Sequence, residues 1–249
     1  MAIKMRSITE SYINTVTGLL GRLLETQSGA IDEAAKAVAD SLEKGGTLFA
    51  FGTGHSHMLA EELFYRAGGL VKVHPILDAP LMLHVGASRS SEVERIPGYA
   101  ATLVGFGADP GERDVMIIFS NSGRNAVPVD MALIMKERGV KTVAVTNLNH
   151  SRASSSRHPS GKRLFEICDI VIDNGGCVGD ASINAEGYVC GPTSTVIGAA
   201  IVQCIACGAT GELAARGVKP EVFCSSNVDG GDEINHGYIR KYSKEIPIL

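Results

Sequence analysis

The sequence predicts a doubly wound α/β domain, a three-layer sandwich around a central parallel sheet of about five strands. Two observations carry this. Short apolar runs with β character, Thr47–Phe51, Leu70–Pro75, Val115–Phe119, Val140–Val145 and Ile170–Asp173, alternate with segments of helical periodicity, which implies a parallel sheet covered on both faces. Two of these strands end abruptly in glycine and small polar residues, and a helix follows each time. That arrangement presents free backbone N–H groups and hydroxyls to an anion.

The elements follow in order. Residues 7–43 read as two amphipathic helices. Ile13, Val16, Leu19, Leu20, Leu23 and Leu24 recur at helical spacing, Ile31, Ala34, Ala35, Val38 and Leu42 do so again, and Gln27–Gly29 supplies the break. Lys44–Gly46 ends the second helix before the first strand. After Gly52–His57 a helix is expected from about Met58 to Arg66, closed by Gly68 and Gly69 ahead of the strand Leu70–Pro75. Residues 76–107, with Pro80, Gly86, Pro97 and Gly98, read as irregular apart from a helix near Ser90–Tyr99. The helix after Ser120–Gly123 runs to Gly139, with Pro128 in its first turn, where a missing donor costs little. Residues 151–163 form a basic, serine-rich loop, expected to be flexible and solubilising or to read a second anionic group. The last helix, Thr193 to about Arg216, is apolar nearly all round and must be buried centrally or between subunits. Residues 1–43 thus form a helical extension, 44–220 the ligand-binding domain and 221–249 a tail that either caps a neighbouring site or forms a solvated turn.

Composition narrows the function. A net charge of -4 leaves no basic surplus for neutralising a nucleic-acid backbone. Polar residues Ser7, Thr9, Glu10 and Ser11 interrupt the start of the chain before a signal-peptide core can form, and no run is expected to cross a bilayer. Six scattered cysteines, mostly within apolar segments, read as reduced core thiols rather than as a zinc or redox site. The expectation is a soluble cytoplasmic protein without nucleic-acid or membrane partners.

The two loops carry the chemistry. In Gly52-x-Gly54-x-Ser56 the glycines allow close backbone approach, while Ser56 serves either a ligand or the helix start as its cap. A dinucleotide fingerprint wants a third glycine where Met58 or Leu59 stands, which excludes a nicotinamide cofactor here. Ser120, Asn121 and Ser122, with Arg124 and Asn125 beyond, exceed what one helix cap requires and point to phosphate. His55 and His57 flank Ser56, but no spacing supplies further metal ligands, so neither metal nor cofactor is expected.

Gly52–Ser56, Phe119–Gly123 and the strand Thr142–Thr146, taken together, resemble the SIS (sugar isomerase) domain family. The resemblance spans roughly residues 30–240. Cys190–Thr195 is similar to the same position in arabinose 5-phosphate isomerases, and Ser56-His57 followed by Ala60–Leu63 is similar to phosphoheptose isomerases. Gly54–Met58 and Asn227–Glu233 resemble a subgroup of about this length. Asn125 stands where many members carry Thr, and the acidic pair Glu61-Glu62 is closer to Ser56 than in phosphoheptose isomerases.

The resemblance implies a flavodoxin-type sheet, a phosphorylated sugar as ligand, and a homodimer or homotetramer. It implies phosphate binding by Gly54, Ser56, Ser120, Asn121, Ser122, Asn125, Thr193 and Ser194. Aldose–ketose isomerisation needs an acid/base group, for which Glu62, His84 and Glu61 are the candidates. Glu62 also reads as an i,i+4 partner of Arg66, His84 as a surface or packed histidine, and Glu92 and Glu94 beside Arg95 as an ordinary helix surface. The rival reading is a phosphosugar-binding sensor or regulatory protein without catalysis.

Overall fold

The fold is that of a computed structural model, which describes residues 2–105 and 108–249, with side chains from Ser7 onward. Phe106 and Gly107, at the end of the segment read as irregular, lie outside the described residues. The chain runs α1 (Ala2–Glu43), β1 (Leu48–Gly52), α2 (His57–Leu63), β2 (Val73–Ile76), α3 (Leu83–Val93), β3 (Val115–Phe119) and α4 (Ala126–Glu137). It continues with β4 (Lys141–Thr146), α5 (Leu148–Arg152), β5 (Ile170–Asp173), β6 (Ala181–Ala185), β7 (Tyr188–Pro192), α6 (Ser194–Ala215) and α7 (Gly231–Tyr242).

Five strands form one parallel sheet in the order β2-β1-β3-β4-β5, with Gly52 level with Phe119 at the ends of β1 and β3. Side chains alternate across the sheet and split the core in two. Leu48, Ala50, Val115, Ile117, Phe119, Val143 and Val145 face α1, α2 and α6. Phe49, Phe51, Met116, Ile118 and Ala144 face α4 and the turns around Ala100 and Leu164. The helix after β1 and the helix after β3 therefore lie on opposite faces. Between them opens the crevice in which sheets of this kind bind ligands.

Several expectations change. The two N-terminal helices are one: α1 runs 42 residues without a break at Gln27–Gly29. A glycine inside a helix costs about 1 kcal/mol. Leu19, Leu23, Ile31, Ala34 and Val38 all reach the same core, and Gln27 Oε1 accepts from the Asp173 backbone N–H at 3.0 Å. Burial and that anchor outweigh the local break signal. Strand β2 begins only at Val73, because Leu70 pairs instead with Val222 in the tail. Helix α3 starts at Leu83, earlier than its expected Ser90, and takes in His84. Helix α2 stops at Leu63, where Phe64 turns extended.

The short helix α5, a hairpin and the helix α7 were not anticipated. Residues 181–192 form a β6–β7 hairpin, turning at Glu186 and Gly187, both left-handed. The tail is neither loose nor a mere turn: α7 packs Tyr242 against Val71, Phe223 and Ile246 in a small core of its own. Helix α6 is, contrary to the sequence reading, long and apolar enough to cross a membrane. Here it buries Ile197, Ile201, Val202, Ile205 and Leu213 in the core. Three cysteines are not the core thiols expected: Cys190, Cys204 and Cys207 are exposed, the latter two on α6, whereas Cys168 packs against the core.

Candidate functional site

The β1 loop leaves the sheet through a turn that only glycine fits. A Cβ on Gly52 would lie 2.5 Å from the Ser56 carbonyl oxygen. The chain then folds tightly over Gly54–Ser56 into α2. Ser56 occupies the cap position of α2 without making a capping bond, which leaves its hydroxyl for the crevice. The β3 loop closes when the Gly123 N–H donates to Ser120 Oγ at 3.2 Å, with Gly123 in the left-handed region (φ 60°).

A third segment meets these two. The start of α6 brings Ser194 and Thr195 to the same place, and β5 contributes Asn174 beyond its end. His55, Ser56, Ser120, Asn121, Asn174 and Ser194 line one cavity of about 20 Å³, floored by Leu59, Phe119 and Val145. Among the described residues its walls hold hydroxyls, amides and an imidazole but no carboxylate. Asn174 Nδ2 donates to Asn121 Oδ1 at 2.9 Å, tying the ends of β3 and β5 together.

Of the residues expected at phosphate, Ser56, Ser120, Asn121 and Ser194 are thus brought together, and Gly54 turns the first loop beside them. Ser122 is half-buried in the second loop and does not line the cavity. Thr193 is buried, and Asp180 accepts from its N–H (3.1 Å) and from the N–H and hydroxyl of Ser194 (2.9 and 2.5 Å). Asp180 therefore caps α6 in place of Thr193, whose side chain makes no capping bond.

Asn125 has a different place. It stands at the cap position of α4 but spends its side chain elsewhere. Its Nδ2 donates to Glu94 Oε1 at 2.7 Å, and its Oδ1 accepts from Arg157 at 3.0 Å. Thr53, in the first loop, donates to the other oxygen of Glu94 at 2.7 Å. Glu94 is thus no ordinary surface residue, as the sequence suggested, but a carboxyl held between both loops. Burial pushes its pKa above the ordinary glutamate value, against the hydrogen bond from Thr53 and the positive charges of Arg95 and Arg157. Local spacing could not single it out, because its partners lie 41 and 31 residues away.

The acid/base candidates named from sequence lie apart from the cavity lining. Glu62 pairs with Arg66 and accepts from Gln203 Nε2 of α6 at 2.9 Å. Glu61 is exposed, 3.7 Å from His57 Nε2. His84 is exposed on α3, its ring 6.3 Å from that of His57. Among the described residues no cluster of three or more His, Cys, Asp or Glu stands ready for a metal ion. The basic loop is pinned rather than flexible: the Arg157 N–H donates to the Arg124 carbonyl at 2.8 Å, and His158 meets Asp130 at 2.7 Å.

Comparison with known proteins agrees with this architecture. Residues 11–147 match the SIS domain family. A UPF0309 protein of Listeria innocua is 45% identical over 241 residues, covering 96% of this chain and 97% of its own length. A UPF0309 protein of Geobacillus thermodenitrificans is 43% identical over 242 residues, covering 96% and 97%. Among solved structures, a phosphoheptose isomerase from Francisella tularensis superposes with a TM-score of 0.57 at 17% identity, covering 82% of this chain and 97% of that one. The phosphoheptose isomerase of Neisseria gonorrhoeae gives 0.50 at 14% identity, with 81% and 98% covered. At such identities the likeness is one of fold. With a domain match over more than half its length and relatives similar almost end to end, the chain belongs to the SIS domain family and, within it, groups with the UPF0309 proteins.

Proposed function

We propose that the protein binds a phosphorylated sugar at the meeting point of the β1 loop, the β3 loop and the start of α6, and interconverts its aldose and ketose forms. One observation carries the reading: Ser56 and Ser120 from the two loops, with Ser194, whose hydroxyl donates to Asp180, line one cavity with no carboxylate among its described lining residues. Hydroxyls and backbone N–H groups at the carboxyl ends of parallel strands suit a phosphate dianion. The cavity is water-sized and partly open, so a phosphate enters with side-chain adjustment and the sugar body lies over the rim.

Glu94 is the acid/base group in this reading. Isomerisation moves a proton between C1 and C2, so the group must accept it from one carbon and return it to the other. A carboxyl whose pKa is raised by burial is suited to both, and Glu94 sits one hydrogen bond from each phosphate loop. Glu62, engaged by Arg66 and Gln203, and the exposed Glu61 and His84 are assigned lesser roles.

We also read the outer faces of α1 and α6, with exposed Ile13, Leu20, Leu24, Val196, Cys204 and Cys207, as surfaces of self-association into a homodimer or homotetramer. Sedimentation that finds only a monomer at micromolar concentration would remove this part. The central test is a panel of phosphorylated aldoses and ketoses, scored for binding by calorimetry and for conversion by NMR. Binding with conversion is expected. Binding without conversion across the panel would favour a sensor, and no binding would end the reading.

A further inference from the structure

The β3 loop does not stop at its serines. Arg124 follows Gly123 directly, and the basic loop is laid against it: the Arg157 N–H donates to the Arg124 carbonyl at 2.8 Å and its guanidinium donates to Asn125 Oδ1 at 3.0 Å. Arg124 reaches Ser155 Oγ at 3.3 Å, while its own Nε is buried and has no hydrogen-bond partner. Other charges of this loop are compensated: Arg163 pairs with Glu166 at 3.0 Å and His158 with Asp130 at 2.7 Å. Among the described residues, neither Arg124 nor Arg157 has a carboxylate within ion-pair distance.

The two guanidiniums therefore lie close enough to repel one another and make no ion pair at contact distance among the described residues. Burial first, then repulsion from Arg124 and Arg95, lowers the pKa of Arg157, as expected where like charges are crowded by the fold. The carboxylate that attracts Arg157, Glu94, is already occupied by Thr53 and Asn125. An arginine pair with no carboxylate in contact and an idle buried donor is the arrangement that recognises a planar or tetrahedral anion.

We infer that Arg124 and Arg157 form a second anion subsite beside the serine cavity, so that the ligand is a sugar phosphate carrying a further anionic group, a carboxylate or a second phosphate. The inference rests on the phosphosugar reading given above. Chain connectivity keeps the two places close. Arg124 is four residues beyond Ser120, within about 14 Å even for extended chain, and the Ser120–Gly123 turn shortens that path. The added anion is what separates this ligand from a simple hexose phosphate.

The test is calorimetry on the full chain with two matched pairs: glucose 6-phosphate against 6-phosphogluconate, and fructose 6-phosphate against fructose 1,6-bisphosphate. In at least one pair the ligand with the extra anion is expected to bind about tenfold tighter, and which pair it is tells carboxylate from phosphate. Arg124→Gln and Arg157→Gln should each remove most of that preference, with the monophosphate of the pair reporting that the fold survives. Arg152→Gln, on an exposed residue at the start of the loop, should keep the preference. Equal affinities within both pairs, or a preference that survives both substitutions, overturns the inference while leaving the phosphosugar reading intact. Failure of all four ligands to bind overturns both.

Discussion

Two polar clusters lie side by side at the rim of the sheet, and they are built differently. The serine cavity is neutral, and most of its walls come from loops that each follow a strand directly: Ser56 after β1, Ser120 and Asn121 after β3, Asn174 after β5. Its neighbour is charged, and joins Thr53, Glu94, Asn125 and Arg157 from four segments through hydrogen bonds of 2.7–3.0 Å. The first needs only strand ends brought level by the sheet. The second needs α3 and the basic loop to fold back over those ends. Anion binding is thus a property of the sheet topology, whereas a carboxyl of altered acidity is a property of long-range packing.

The comparison can be broken at its charged half first. Glu94→Gln should lower kcat by about a hundredfold or more and change KM by less than about threefold, because it removes the proton-transfer group and leaves the serine cavity whole. Steady-state kinetics on a converted sugar decides it, and near-normal kcat would mean that the Thr53–Glu94–Asn125 cluster is structural. The neutral half comes next. Ser120→Ala should weaken phosphate-ester binding about tenfold in calorimetry, and Ser122→Ala less, since Ser120 lines the cavity and Ser122 does not. A larger effect at Ser122 would relocate the phosphate.

A thermal series sharpens the difference. Because burial raises the Glu94 pKa above its ordinary value of 4.5, the ionised form is disfavoured in the fold. The stability tied to this group is fully present below about pH 4.5 and is lost as pH rises through the raised folded value. Glu94→Gln cannot ionise, so its Tm should improve relative to the parent as pH rises across that window and hold level above it. A Tm difference that ignores pH would show that Glu94 ionises as freely as a surface carboxylate. The smallest effect is expected at Glu62: Glu62→Gln, which removes a partly exposed ion pair with Arg66, should change turnover by less than about twofold and stability by less than about 1 kcal/mol.

The sequence by itself determined much of the binding half. Apolar runs ending in Gly52 and Ser120 mark strands and loops through local chemistry alone, since alternating elements and turn residues act over a few neighbours. Strands β1, β3, β4 and β5 stand within a residue of where periodicity places them, and Ser56, Ser120 and Asn121, read from the strand ends, line one cavity with Ser194, which only the family resemblance points to. Other features were decided only by the tertiary structure. Gln27–Gly29 reads as a break, but the helix continues because both halves bury residues in one core. Glu94 and Glu62 are both glutamates on predicted helices. The i,i+4 pair with Arg66 marks Glu62 locally, but nothing within a helical turn of Glu94 shows that it is held between two loops. Propensity and periodicity are short-ranged. The acidity of a carboxyl depends on which distant groups the folded chain presses against it.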